Sequence, residues 1–213
     1  MEDRLAPGLY LEMTDLSPDL YAAERVAPVL SLPGVEGATW WANQRPGRDE
    51  FPRSLPEFET LGVYEVGDAF RAPLTPTGIR GHHFRRTPRP AQGCLSGRPT
   101  LGVELVLVSP KSPEAAQEFR DWADFVHIRH IAASAVEGFT MITPYENATG
   151  GLPRFLHFYE MDTAEAEEAF QRMTPSTLAR IGGPGTAAFA EWAGHPQLVI
   201  DYVNTFTRIG EKR

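Results

Sequence analysis

The sequence predicts an α+β fold made of two similar units on a β-α-β-β(-α-β) plan, the second helix being degenerate in the first unit. Three observations carry this. Val35-Glu-Gly-Ala-Thr39 returns as Val136-Glu-Gly-Phe-Thr140, and Leu61-Gly-Val-Tyr-Glu65 returns as Leu156-His-Phe-Tyr-Glu160. Around both matches the order strand, helix, strand, strand runs twice. The matches are shifted by 101 and 95 residues; such self-similarity marks a repeated structural unit, and this element order is the ferredoxin-like split βαβ motif.

In the first unit, Leu9-Tyr-Leu-Glu-Met-Thr reads as a strand. Ser17-Pro18-Asp19 then supplies an N-cap, a proline at the first helical position and an early acid, so a helix is predicted over 18–31. Pro33-Gly34 stops it. Strands are predicted over 35–41 and 60–66, joined by a polar, proline-broken loop at 43–57. Gly67 to Pro76 is too short and broken for a second helix, and Gly81-His-His-Phe-Arg-Arg-Thr87 is the expected fourth strand.

The second unit opens with the strand Leu101-Gly-Val-Glu-Leu-Val-Leu-Val-Ser109. Ser112-Pro113-Glu114 begins a helix expected to reach about Ser134. Strands follow at 136–142 and 154–161, a second helix starts near Ala164, Gly182-Gly-Pro-Gly185 breaks the chain, and a short helical piece leads to Trp192. The closing strand is expected at 197–206. The resulting division is 1–90 for the first repeat with its second helix degenerate, 91–100 as linker, and 101–213 for the second repeat.

Composition narrows the function. With 42% hydrophobic and 23% charged residues the chain has the balance of a soluble globular protein. A net charge of −8 argues against nucleic acid and anionic membrane surfaces as partners. Cys94 is the single cysteine and has no internal disulfide partner, which suits a reducing cytoplasm. Met-Glu-Asp-Arg lacks the basic start of a signal peptide, and no apolar run approaches the roughly 18 residues of a membrane span. The expected location is cytoplasmic.

The paired ferredoxin-like plan resembles the dimeric α+β barrel superfamily, in which two four-stranded sheets pack into a barrel. Trp122 with His127 and His130, followed by Gly138-Phe139, is similar to the pattern of its EthD-like members. The resemblance implies two ferredoxin-like repeats packed as an intramolecular dimeric α+β barrel. It also implies the chemistry of that superfamily, which includes cofactor-independent monooxygenases, polyketide cyclases, isomerases, lyases and haem-binding branches. Their common theme is a greasy cavity between sheet and helices, where a histidine, often with a tyrosine, moves a proton on an apolar, aromatic or carbonyl substrate. The first repeat departs from the motif, because His127 and His130 fall opposite Val26 and Val29. One site per chain, in the second repeat, is therefore expected.

Helical geometry adds directions. At about 100° per residue, His130 lies within about 20° of Phe119, in the middle of the apolar stripe that includes Trp122, Ala123 and Val126. His127 lies at the edge of that stripe, with Asp124 one turn before it. His130 thus reads either as an acid/base directed into a cavity or as a core histidine bonded to a backbone carbonyl. His127 reads either as a substrate contact biased by Asp124 or as a surface residue paired with it. An ordinary imidazole titrates near ~6.5, so modest burial poises it for proton transfer.

On strand 154–161, alternation groups Phe155, His157, Tyr159 and Met161 on one face. If that face meets the helix, His130, His157 and Tyr159 converge. The expected catalytic set is His130, His157, His127 and Tyr159, with Trp122, Val126, Tyr202 and Asn204 contacting substrate. No metal is expected, because Asp124, His127 and His130 rotate round the helix and cannot close one coordination shell. No organic cofactor is expected either, haem with a histidine ligand being the alternative. A non-catalytic small-ligand or assembly module is the other alternative, and the free outer helices leave room for a homodimer. His82-His83-Phe84-Arg85-Arg86 reads as a solvated strand end or as an anion site.

Overall fold

In a computed structural model, residues 6–213 are described. The first repeat contributes strands β1 (Gly8–Thr14), β2 (Val35–Asn43), β3 (Thr60–Val66) and β4 (Ile79–Arg86), with helix α1 over residues 18–30. A two-residue strand, β5 (Gln92–Gly93), lies between the repeats. The second repeat contributes β6 (Gly102–Pro110), β7 (Phe139–Asn147), β8 (Phe155–Met161) and β9 (Leu198–Lys212). Its helices are α2 over residues 113–133, α3 (Ala166–Ile181) and α4 (Ala187–Ala193). The caps are where the sequence puts them: the Ser17 side chain accepts from the Leu20 amide, and Pro18 occupies the first turn. No helix lies between β3 and β4. There Phe70 folds back against Tyr10, ring centres 5.2 Å apart.

The strands run β4-β1-β3-β2-β9-β6-β8-β7, and β4 also pairs with β7, so eight strands close on themselves. Every pairing is antiparallel. Within each repeat the spatial order is fourth-first-third-second. Each repeat's fourth strand lies beside the other's second, through Asn43↔Phe206 and Arg86↔Tyr145. Closure removes the exposed edges that a single four-stranded sheet would carry. The fold is α+β, a closed antiparallel barrel with helices outside it.

Alternation along the strands separates two cores. Leu9, Leu11, Leu61, Val63, Leu105, Leu107, Leu156 and Phe158 fill the barrel interior. The opposite faces lie under the helices. Tyr10, Tyr64 and Val66 pack against Tyr21, Val26 and Val29 of α1, while Ile142 and Tyr159 pack against Ile128 and Ile131 of α2 and Phe170 and Met173 of α3.

Both leading helices contain one π turn, at Ala22–Val26 in α1 and Ala123–His127 in α2. The two turns stand at the spacing of the Val-Glu-Gly repeat. A π turn inserts one residue and rotates everything after it by about 100°. The buried positions accordingly step from Tyr21 to Val26 and Val29, and from Phe119 to Ala123, Ile128 and Ile131. Among the described residues, no helix is long and apolar enough to cross a membrane.

Tyr21 leans over β3 where Gly62 leaves no side chain: a Cβ there would sit 1.8 Å from the Tyr21 hydroxyl. That hydroxyl is held by Tyr64 at 2.6 Å and Glu12 at 3.1 Å, so it has little freedom to retreat. Gly62→Ala is expected to cost about 1–3 kcal/mol through overpacking. A thermal melt should fall by several degrees. An unchanged midpoint would show that the tyrosine moves aside freely.

Candidate functional site

The outer face of β8 carries Phe155, His157, Tyr159 and Met161, all buried under the second repeat's helices. His157 Nε2 lies 3.0 Å from Asp124 Oδ1, on the inward side of the π turn of α2. The other oxygen of Asp124 lies 3.3 Å from Arg89 Nη1 and 3.5 Å from Arg120 Nε. A carboxylate can only accept, so the His157 proton sits on Nε2, and in the neutral ring Nδ1 is the basic nitrogen.

Two residues along β8, Tyr159 stands beside Glu104 of β6 in register. Burial, and then the charges of Glu104 and Asp124, push the Tyr159 hydroxyl well above the usual tyrosine range. Glu104 is itself 2% exposed. Burial pushes its carboxyl up to about 8, Arg48 pulls it down and Glu167 pushes it further up. Arg48, on the loop after β2, is buried against the edge of β9. Its Nε donates to Asn204 Oδ1 at 3.2 Å, Nη2 bonds Glu167, and the guanidinium lies 4.3 Å over the Phe170 ring. Glu104 Oε2, Arg48 Nη1, Thr177 Oγ1 and Trp192 Nε1 are all buried without a hydrogen-bond partner. Unpaired buried polar atoms are costly and rare, and these four belong to the strand, loop and helices that enclose one layer.

The π turn overturns the direction expected for His130. The inserted residue swings it off the apolar stripe, so it is half-buried and its Nδ1 accepts from Arg180 Nη1 at 3.1 Å. Ile128 and Ile131 take the inward positions. Asp124, within the π turn itself, is buried and pairs with His157 rather than His127. His127 is instead stacked on Trp192, ring centres 5.6 Å apart, with Nδ1 2.9 Å from the Trp192 carbonyl. Burial pushes its ring down to about 4, against the raising effect of that carbonyl. Trp122 lies beside His127 and donates to the Glu191 carbonyl at 2.7 Å, while Val126 is only partly buried.

Tyr202 and Asn204 do share a face, but it is the barrel side of β9 and not the helix side. Tyr202 stacks on Phe58, ring centres 4.7 Å apart, and its hydroxyl donates to Glu57. Asn204 donates to the Arg45 carbonyl at 3.0 Å. The structure therefore brings together His157 and Tyr159, with Asp124, Glu104 and Arg48 around them, leaves His130 and Tyr202 apart, and joins Asn204 to the group only through Arg48. The sequence signal for Glu104 is a lone acid on the same alternate positions as Val106 and Val108. Arg48, in an irregular loop, has no such signal.

The equivalent layer of the first repeat is closed. Its buried carboxylate, Glu12, receives Arg25 at 2.6 and 3.2 Å, Tyr21 at 3.1 Å and Tyr10 at 3.3 Å. Every charge there is answered, whereas Glu104 keeps one oxygen bare.

No protein-family model matches the chain, and no curated protein matches it. Solved structures do. An anthrone oxidase-like protein is 16% identical at a TM-score of 0.55, with 99% of this chain and 94% of that one covered. A mutant chlorite dismutase from Candidatus Nitrospira defluvii is 8% identical at a TM-score of 0.50, covering 97% of this chain and 93% of that one. At such identities the likeness is one of fold, that of the dimeric α+β barrel proteins.

An unfolded chain ionises Glu104 near ~4.3, whereas the folded chain holds that proton up to about 8. Its contribution to stability is full below the lower value and is lost as pH rises through the upper one. Glu104→Gln should melt close to wild type at pH ~4.5 and above it at pH ~8.5, by on the order of a few kcal/mol. Parallel melting curves for the two proteins across that range would place the carboxyl in water.

Proposed function

We propose that the chain is an enzyme that moves a proton on a small apolar, aromatic carbonyl substrate, in the layer between β6, β8 and the second repeat's helices. The observation that carries this reading is Glu104: a buried carboxyl, neutral up to about pH 8, with one oxygen bonded to nothing. Carboxyls kept neutral in this way donate hydrogen bonds to developing oxyanions, and strongly perturbed groups cluster at functional sites. His157 Nδ1 is the base, its ring oriented by Asp124. Glu104 and the Tyr159 hydroxyl face the substrate oxygen, and Arg48 adds positive charge behind them. Phe170, Trp192 and Ile142 supply the apolar walls. Substrate enters by displacement of α4, a seven-residue helix set off by Gly182, Gly183 and Gly185 on one side and Gly194 on the other.

The anthrone oxidase-like neighbour suggests the first substrate to offer. Removal of the acidic ring-methylene proton of an anthrone leaves a stabilised anion. That anion reacts with dioxygen, and the sum is anthrone plus O2 giving anthraquinone plus water. This route calls for no metal or organic cofactor. Haem fits less well: His157 Nε2 is engaged by Asp124, and His127 is stacked on Trp192 with Nδ1 against a carbonyl.

Purified protein should consume about one O2 per anthrone, faster than buffer alone. His157→Gln should lower the rate by about 10²–10⁴-fold with the fold retained. A wild type no faster than buffer, or a His157→Gln variant at full rate, would overturn the reading.

A further inference from the structure

A cleft of about 730 Å³ lies apart from this layer, at the start of β1, the end of β3 and the segment 85–90 that leaves β4. Arg85, Arg86, Thr87 and Arg89 line it, with His83 and Asp68. Among the described residues, no carboxylate forms an ion pair with Arg85 or Arg86, although the chain as a whole carries a net charge of −8. Arg86 Nε and Thr87 Oγ1 are buried there with no hydrogen-bond partner, while Arg89 Nη1 is paired with Asp124 Oδ2 at 3.3 Å. Two unanswered donors at one cleft are what an oxyanion would satisfy, since guanidinium groups match the oxygens of phosphate and carboxylate geometrically.

The placement is held from behind. Arg86 donates its backbone amide to the Pro7 carbonyl at 2.9 Å, which ties the end of β4 to the start of the chain's first strand. Arg89 is fixed by Asp121 at 2.5 Å and by the Phe125 ring at 4.9 Å. His83 stands edge-on to Phe70, ring centres 5.1 Å apart, and burial together with Arg85 and Arg71 lowers its affinity for a proton. It therefore offers a neutral ring rather than a further cation. The cleft has the size of a small-molecule site, far larger than a bare anion needs.

We propose that this cleft binds a small organic molecule through a phosphate or carboxylate head held by Arg86 and Thr87. The test is calorimetric titration of the full chain with inorganic phosphate and, separately, with succinate, at constant ionic strength set by chloride. Saturable binding at about millimolar affinity or tighter is expected, weakened at least tenfold in Arg86→Gln. Arg86→Gln should melt within a few degrees of wild type. Saturation by phosphate alone or by succinate alone supports the site and identifies the head group. Saturation by neither, or equal affinity in Arg86→Gln, overturns it. Neither result bears on turnover in the layer around His157, which the anthrone assay reads independently.

Discussion

One inserted residue in each leading helix decides which side chains meet the sheet. Without the π turn at Ala123–His127, His130 would lie on the buried face. With it, the later histidine faces Arg180, while Asp124 inside the turn meets His157. The same insertion in α1 sets Val26 and Val29 against the first sheet. Helix packing fixes this phase tightly, because a rotation of about 100° exchanges an apolar face for a polar one. The histidine pair, the packing of α2 and the cleft-side contact through Arg89 all follow from that rotation.

The two repeats solve the same problem in different ways. Each buries a carboxylate beneath a helix, which is expensive unless the charge is paired or neutralised. Glu12 is paired, by Arg25 and two tyrosine hydroxyls. Glu104 is neutralised, held as an acid by its surroundings. The first arrangement rigidifies a wall of the barrel. The second leaves a proton and an unpartnered oxygen on the strand position beside Tyr159, at a cost in stability that grows as pH rises.

The fold was legible because period-two alternation and the doubled Val-Glu-Gly and Tyr-Glu segments are properties of single strands, and closure follows from pairing the two units. The face of β8 was legible for the same reason, and His157 and Tyr159 do lie under the helices. The helix was harder. A regular count of about 3.6 residues per turn cannot register a π turn, so it sent His130 inward and gave Asp124 the wrong histidine. Tyr202 and Asn204 were grouped on one face without any way of knowing that it was the barrel face. Arg48 comes from an irregular loop whose path depends on where β2 leaves β9, which no local pattern encodes.

Because the four strands of each half lie side by side and the two halves join at both seams of one closed cylinder, each half supplies the partner that the other would otherwise have to find in a second molecule. Two identical subunits so joined would be bound to carry the same residues on both sides of their axis. A single chain is under no such obligation. Saturating one buried acid while leaving the other unpartnered is a division that identical subunits cannot make: one half can be spent on scaffolding while its sister is free to diverge.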